Sequence, residues 1–344
     1  MTVTGELLPA ILDRAQQADL SAIRSFLATQ PSQPLVASGS GGAESAADLA
    51  ALLYGAGGGL SVAVTPLTLN SFGDDALKNG KVLLLSKGGH NDDVVFATKR
   101  ALDANPSATA ALFLSDGMRN DAAKAFRKAG SGNGFVIPMP SSGDGFVSTG
   151  TSLSFFSLLT RIFQPEVDLE KYKTLPESPY TLCLNEGTPM KADDFRNVRN
   201  YIFLHGSWGR PVAKNLESKI VESGLATGCV CDFRNYCHGR FIFTSNHLED
   251  SAIVLFVSPR ERDFAVRTRK FLPAEAKLVI IETKHDVPEA SLDLLIRATE
   301  FFHSICRTQA IDPACPRNPG RIDKRVPIGV PFKAALQKMG PLRL

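Results

Sequence analysis

The chain carries one local pattern twice, and this repetition limits what it can fold into more than any other feature. Leu35-Val36-Ala37-Ser38-Gly39-Ser40-Gly41-Gly42 is a short apolar run entering a Gly/Ser turn, followed by a helical stretch from Glu44 to Tyr54. Tyr201-Ile202-Phe203-Leu204-His205-Gly206-Ser207 repeats it and leads into Pro211 to Ser223, again helical in character. Lys81 to Ser86 corresponds to Ser251 to Ser258, and Ala110 to Ser115 corresponds to Lys277 to Thr283. The offset between the halves stays near 170 residues. Continuous apolar runs alternating with helical patterns are the mark of parallel strands covered on both faces. The expected fold is therefore α/β, with two tandem doubly wound parallel sheets.

At 344 residues, with 44% hydrophobic and 21% charged, the chain is long enough for two globular cores. The expected division is a first unit over 1–165, a linker over 166–200, a second unit over 201–310 and a C-terminal tail over 311–344. Pro165, Pro176, Pro179 and Pro189 interrupt the linker, and Pro316, Pro319, Pro327, Pro331 and Pro341 mark the tail as an extended segment folding over a site. A net charge of +3 gives no reason to expect nucleic acid or an anionic membrane surface as partner. Met1 to Leu20 holds Glu6, Asp13, Arg14 and Asp19 and no signal-like apolar run, and no window reaches the roughly 18 apolar residues of a membrane span. Six scattered cysteines do not suggest a disulfide framework, so the expected location is the cytoplasm.

Three stretches can carry chemistry. Ser86-Lys87-Gly88-Gly89-His90-Asn91-Asp92 joins a buried strand to a helix. Its glycines let backbone N–H groups converge at a helix N-terminus, where an anion sits well, and Ser86, Lys87 and Asn91 can add donors. An ordinary strand-to-helix turn, with Asn91 or Asp92 as N-cap, would contain the same residues. The turn Ser38-Gly39-Ser40-Gly41-Gly42 should lie at the C-terminal edge of the same sheet, where open α/β sheets bind ligands.

The third stretch runs from Lys219 to His238. Lys219 and Glu222 are three apart on a predicted helix and so share a face, and His238 centres the polar turn Asn235 to Arg240. A carboxylate and an imidazole in one crevice can move protons on a sugar, whereas a surface Lys–Glu pair and a turn-capping histidine are the plainer account. Cys229, Cys231, Cys237 and His238 match no usual zinc spacing, and buried structural cysteines are expected instead of a metal.

At these residues the sequence resembles the isomerase half of glucosamine-6-phosphate synthase and its double-SIS (sugar isomerase) relatives, from about Leu35 to about Ile328. The resemblance implies two flavodoxin-like, three-layer SIS units, a sugar-phosphate ligand, no cofactor and a homodimer in which His238 completes the neighbour's site. It places the family's catalytic lysine and glutamate on Lys219 and Glu222, and the histidine of its H-G-P turn on His238. It also places sugar-contacting residues at Ser38 to Gly41 and on the loop Gly145 to Thr149, with Ser148 and Thr149 as ligand contacts. The family's P-R-N segment reappears as Pro316-Arg317-Asn318.

Two departures stand out. The hydroxyl-rich phosphate loop, S-x-S-G-x-T, is here Ser86-Lys87-Gly88-Gly89-His90-Asn91. The Schiff-base lysine falls on Arg321, whose guanidinium cannot form an imine, and Lys324 is the nearest substitute. No glutaminase unit accompanies these segments, so glutamine-dependent amination is not expected. The expected function is a phosphosugar aldose/ketose isomerase or deaminase. The alternatives are a drifted SIS module that senses a phosphosugar or nucleotide-type ligand, and an enzyme for a larger conjugate read by Lys87 and Arg240.

Overall fold

The structure, a computed structural model, describes residues 3–29, 32–115, 120–140 and 145–316. These divide into two compact units, one of residues 18–139 and one joining 1–17 to 140–316. Of the expected tail only 311–316 is described; Arg317, Asn318, Arg321 and Lys324 lie outside the described residues.

The smaller unit starts with helix α2 (Ser21–Ala28), α1 (Val3–Gln17) belonging to the other unit. Its sheet comprises β1 (Leu35–Gly39), β2 (Ser61–Val64), β3 (Lys81–Ser86), β4 (Thr109–Phe113) and β5 (Gly134–Val136). These pair in parallel in the order β2-β1-β3-β4-β5, the flavodoxin arrangement. Helix α3 (Gly42–Ala56) joins β1 to β2; the short helices α4 (Pro66–Leu69) and α5 (Asp74–Asn79) precede β3. Helix α6 (Asp92–Ala104) follows β3 and α7 (Asp121–Lys128) follows β4. Alternate strand residues Val36, Val82, Leu84, Ala111 and Phe113 meet Val94, Ala97, Ala101 and Phe126 of α6 and α7 in one apolar core. Leu83, Leu85 and Ala110, pointing the other way, are equally buried, so each strand reads as a continuous apolar run.

The larger unit follows a matching plan. After α8 (Gly150–Phe163) and β6 (Thr181–Leu184) come β7 (Asn200–His205), α9 (Arg210–Glu222), β8 (Thr227–Asp232), α10 (Phe233–Asn235) and α11 (Phe241–Asn246). Then follow β9 (Ser251–Val257), α12 (Arg262–Arg269), β10 (Lys277–Glu282) and α13 (Glu289–Thr308). The sheet order is β6-β10-β9-β7-β8, with β6 antiparallel on β10 and every other pair parallel. From the β8 end this is the same order as the first sheet, with β6 replacing the last parallel strand. The stretch 166–200 thus contributes a sheet strand, Thr181–Leu184. Both units are doubly wound α/β sheets. All six cysteines are free thiols; Cys183, Cys231 and Cys306 are buried.

Each unit buries ionisable groups for structural ends. Lys81, at the start of β3, is only 2% exposed and donates from Nζ to the carbonyls of Phe26 (3.1 Å), Leu27 (2.9 Å) and Thr29. It closes the C-terminus of α2, whose last carbonyls have no intrahelical donors. In the larger unit, His303 of α13 is 7% exposed and its Nε2 has no hydrogen-bond partner among the described residues. Burial, and then the charges of Lys219 and Arg307, push its pKa down to about 4.

Replacing Lys81 by Met leaves three carbonyls, two of them buried, without their donor and is expected to cost about 2–4 kcal/mol, read as an earlier urea transition. His303 takes its proton near pH 6.5 in the unfolded chain and near pH 4 in the folded one. Its contribution is therefore complete above pH 6.5 and lost as the pH falls through 4, about 3 kcal/mol in all. His303→Leu should remove that part of the acid-side slope when urea midpoints are compared between pH 7 and pH 4.

Candidate functional site

In the sheet of residues 18–139, the connections leaving β1 and β3 turn to opposite faces, and between their C-terminal ends lies the switch-point crevice. Ser38 pairs with Leu84 and Gly39 with Leu85, so Ser86 extends one residue past the paired end. The two turns singled out in the sequence, Ser38 to Gly41 and Ser86 to Asn91, thus meet at one sheet edge.

The β1 turn depends on glycine at two points. A Cβ on Gly39 would lie 2.3 Å from the Ala43 carbonyl oxygen, so only glycine lets the first turn of α3 pack onto the strand end. Gly41 has φ +55° and ψ −132°, a region closed to L side chains. Ser40 is half-buried and its carbonyl accepts from the Ala43 N–H at 3.2 Å. The Ser38 hydroxyl is 1% exposed and has no hydrogen-bond partner among the described residues, an orphan at the crevice floor.

The β3 turn is held by main-chain bonds. Ser86 Oγ accepts from the Gly89 N–H at 3.1 Å, leaving its own O–H available to donate. Ala122 N–H donates to the Gly89 carbonyl at 2.9 Å and Leu114 N–H to the Lys87 carbonyl at 3.2 Å, so the next connection grips the loop. Gly89 has φ +60°, and a Cβ there would land 2.0 Å from Asn120 Oδ1. Asn91 serves as the N-cap of α6, its Oδ1 accepting from Asp93 (3.0 Å) and Val94 (3.4 Å) N–H. Its amide group is the donor that remains. The N–H groups of Gly88 and His90 donate to no other described residue, which is the arrangement an anion needs at a helix start.

The other expected site residues belong to the larger unit. Gly145 to Thr149 leads into α8 and is pinned by Pro313 and Ala314, through Phe146 N–H to Ala314 O (2.9 Å) and Val147 N–H to Pro313 O (3.1 Å). Thr149 is buried, and the Ser148 carbonyl accepts from the Ser152 hydroxyl at 3.3 Å. Lys219 and Glu222 have different surroundings. Lys219 is 3% exposed and reaches from α9 to α8, donating to Asn215 Oδ1 and to Ser152 Oγ at 3.4 Å. Glu222 ends α9 in an exposed position and accepts from the Ser218 hydroxyl at 2.5 Å. Three residues turn a helix by 300°, so the pair straddles the boundary between buried and open faces.

His238 is exposed on a single wide turn, Tyr236–Arg240, that ends where Gly239 takes φ +113°. Beside it an open apolar hollow of about 280 Å³ is lined by Tyr201, Cys229, Cys231, Tyr236, Arg240 and Phe243. Burial, with Cys229 alongside, pushes the Cys231 thiol up to about 12, and Arg240 Nη1 donates to Cys229 Sγ at 3.5 Å. Among the described residues no group of three His, Cys, Asp or Glu side chains could hold a metal ion, and no helix is long and apolar enough to cross a membrane.

Sequence reasoning overlooked the buried polar set around Lys219. Asn215 Nδ2 donates to Ser152 Oγ at 2.9 Å, and His303 and Glu300 lie buried on α13, the Glu300 carboxyl raised by burial. Their only signal was a polar i, i+3 pair beside Phe301 and Phe302 on a helix that otherwise reads as core.

No family model matches the sequence, and no curated protein matches it. Solved structures do share its fold. Tagatose-6-phosphate ketose/aldose isomerase from Escherichia coli superposes with a TM-score of 0.66 at 16% identity, over 95% of this chain and 99% of that one. Glucosamine-6-phosphate deaminase from Thermotoga maritima gives 0.63 at 15% identity, over 91% and 97%. The C-terminal domain of glucosamine-fructose-6-phosphate aminotransferase from Francisella tularensis gives 0.62 at 11%, over 90% and 95%. Both α/β units therefore have their counterparts along nearly the whole of these chains, and this chain has the double-SIS fold.

Proposed function

We propose that the chain binds a sugar phosphate and acts on it as an aldose/ketose isomerase or deaminase. The observation that carries this reading is the crevice between β1 and β3. A main-chain turn held from three sides presents N–H groups and the Ser86 hydroxyl beside the orphan Ser38 hydroxyl. The fold is one used by proteins named for tagatose 6-phosphate and glucosamine 6-phosphate.

In this reading Ser86, Lys87, Gly88, Gly89 and Asn91 hold the phosphate, and Ser38, Gly39, Ser40, Ser148 and Thr149 meet the sugar hydroxyls. His238, supplied by a second copy of the chain, assists ring opening. Glu222 takes the proton from C2 of the open-chain sugar and returns it to C1, passing through an enediol-like intermediate. Lys219 sets the orientation of the helix end through Ser152 and Asn215. Arg321 and Lys324, which lie outside the described residues, would bring positive charge from the tail.

A second reading is a binding module that has lost catalysis. The exposure of Glu222 and His238 in the single chain and the burial of Lys219 favour it. A thermal-shift screen with hexose 6-phosphates, amino-sugar phosphates and nucleotide sugars separates the two, because a ligand of the native state raises the midpoint by mass action. Ser86→Ala is expected to weaken a phosphosugar roughly tenfold. Glu222→Gln should keep the shift and lower turnover by about 10²–10⁴-fold. A midpoint shift without turnover in the wild type would favour the binding module. Stabilisation by nucleotide sugars alone would point to a larger conjugate, and full activity in Glu222→Gln would end the proton-transfer proposal.

A further inference from the structure

The sheet of the larger unit has its own switch point, between β7 and β9, and it is built differently. Position by position in the repeat, Ser258 stands where Ser86 stands, and Glu261 stands where Gly89 stands. Glu261 has φ −106°, an ordinary conformation for an L-residue, and its side chain folds back into the crevice. Glu261 is 4% exposed. Oε1 accepts from the Trp208 N–H at 2.9 Å and Oε2 from the Ser258 N–H at 3.3 Å, one donor from each strand end. Trp208 precedes the 13-residue helix α9 by two residues, so the positive end of that helix faces the carboxylate.

Two further observations mark the place as a cradle for an anion. A Cβ on Gly206 would lie 2.3 Å from Glu261 Oε1 and 2.6 Å from its carboxyl carbon, so the backbone is bared where the carboxylate rests. The Ser258 hydroxyl is fully buried beside it and has no hydrogen-bond partner among the described residues. Among those residues no cation pairs with Glu261; its charge is met by main-chain N–H groups alone, as a bound oxyanion's would be.

We propose that the β7/β9 crevice is an anion cradle whose resident anion is the Glu261 carboxylate. Glu261 closes it to outside ligands, and removing the carboxylate turns it into a site for a small carboxylate such as formate. This stands whether or not the β1/β3 crevice takes a phosphosugar. The duplicated sheet thus keeps two cradles of one design, one open and one filled by its own chain.

The test compares thermal unfolding of the full-length wild type, Glu261→Ala and Glu261→Gln in sodium formate and in sodium chloride at equal ionic strength. Any formate effect on the wild type, including binding at the open β1/β3 crevice, is common to all three proteins, so the reading is the rise of Glu261→Ala in excess of the wild-type rise. Glu261→Ala should unfold roughly 4–8 °C earlier in chloride, and formate should restore at least half of that loss along a saturable curve. Glu261→Gln should also unfold early, because its NH₂ confronts a backbone N–H where the second carboxylate oxygen stood. Formate raising the wild type as much as Glu261→Ala, or failing to raise Glu261→Ala, overturns the proposal. If Glu261→Ala does not fold, Glu261→Gln decides alone: a lowered midpoint supports the resident anion, and a wild-type midpoint refutes it.

Discussion

Parallel pairing of β1 with β3, with their following helices on opposite faces, is the constraint from which the candidate site arises. Where two crossovers diverge, neither can cover the gap between the strand ends, and a crevice remains whatever the side chains are. At the same gap two helices begin, and their first N–H groups have no carbonyl within the helix to receive them. The sheet therefore brings two helix starts to one place, where the Ser40 and Gly41 carbonyls and Asn91 take the first helical N–H groups and the loop N–H groups of Gly88 and His90 remain. Residue choice then decides how close the backbones come: Gly39 lets α3 begin against the strand, and Gly89 lets Asn120 and the start of α7 grip the loop.

The larger unit shows what changes when that choice differs. It keeps the strand order, the glycine after the first strand and the serine after the third, but places Glu261 at the position of Gly89. A side chain long enough to return to the crevice satisfies the donors internally. The turn there needs no positive φ, since Glu261 has φ −106°, and two main-chain N–H groups are paired by the side chain. The consequence is a crevice whose Trp208 and Ser258 main-chain N–H groups are already taken. The two sheets thus share one strand order while the turn after the third strand differs, with glycine at one and a buried glutamate at the other.

Much of this architecture was legible in the chain because continuous burial erases alternation: Lys81–Ser86 and Ser251–Val257 can be read directly as buried parallel strands. β6 was not, since Thr181–Leu184 is four residues long, lies among prolines and pairs antiparallel at a sheet edge, where periodicity is weakest. The Gly-rich turns were legible as turns, and their meeting at one edge followed from topology. What sequence could not supply was side-chain environment. The spacing of Lys219 and Glu222 put them on one helix face, yet the burial boundary runs between them, set by the packing of α13 on α9 and the Ser152 contact to Lys219. The role of Glu261 was equally hidden, because a glutamate beside Arg260 and Arg262 reads as a surface charge.

The altered loop, Ser86-Lys87-Gly88-Gly89-His90-Asn91, bears on how an anion would be held there. Hydroxyl side chains in such a loop add donors one at a time, each costing rotamer freedom when it is fixed. Main-chain N–H groups add none of that cost, because the fold has already fixed them through Ala122, Leu114 and the Ser86 hydroxyl. A turn with few hydroxyls therefore keeps its main-chain geometry, whereas a side chain at Gly89 would collide with Asn120. On this argument the turn's geometry depends first on Gly89, which keeps the loop clear of Asn120, and the proposed anion site would depend on it in the same way.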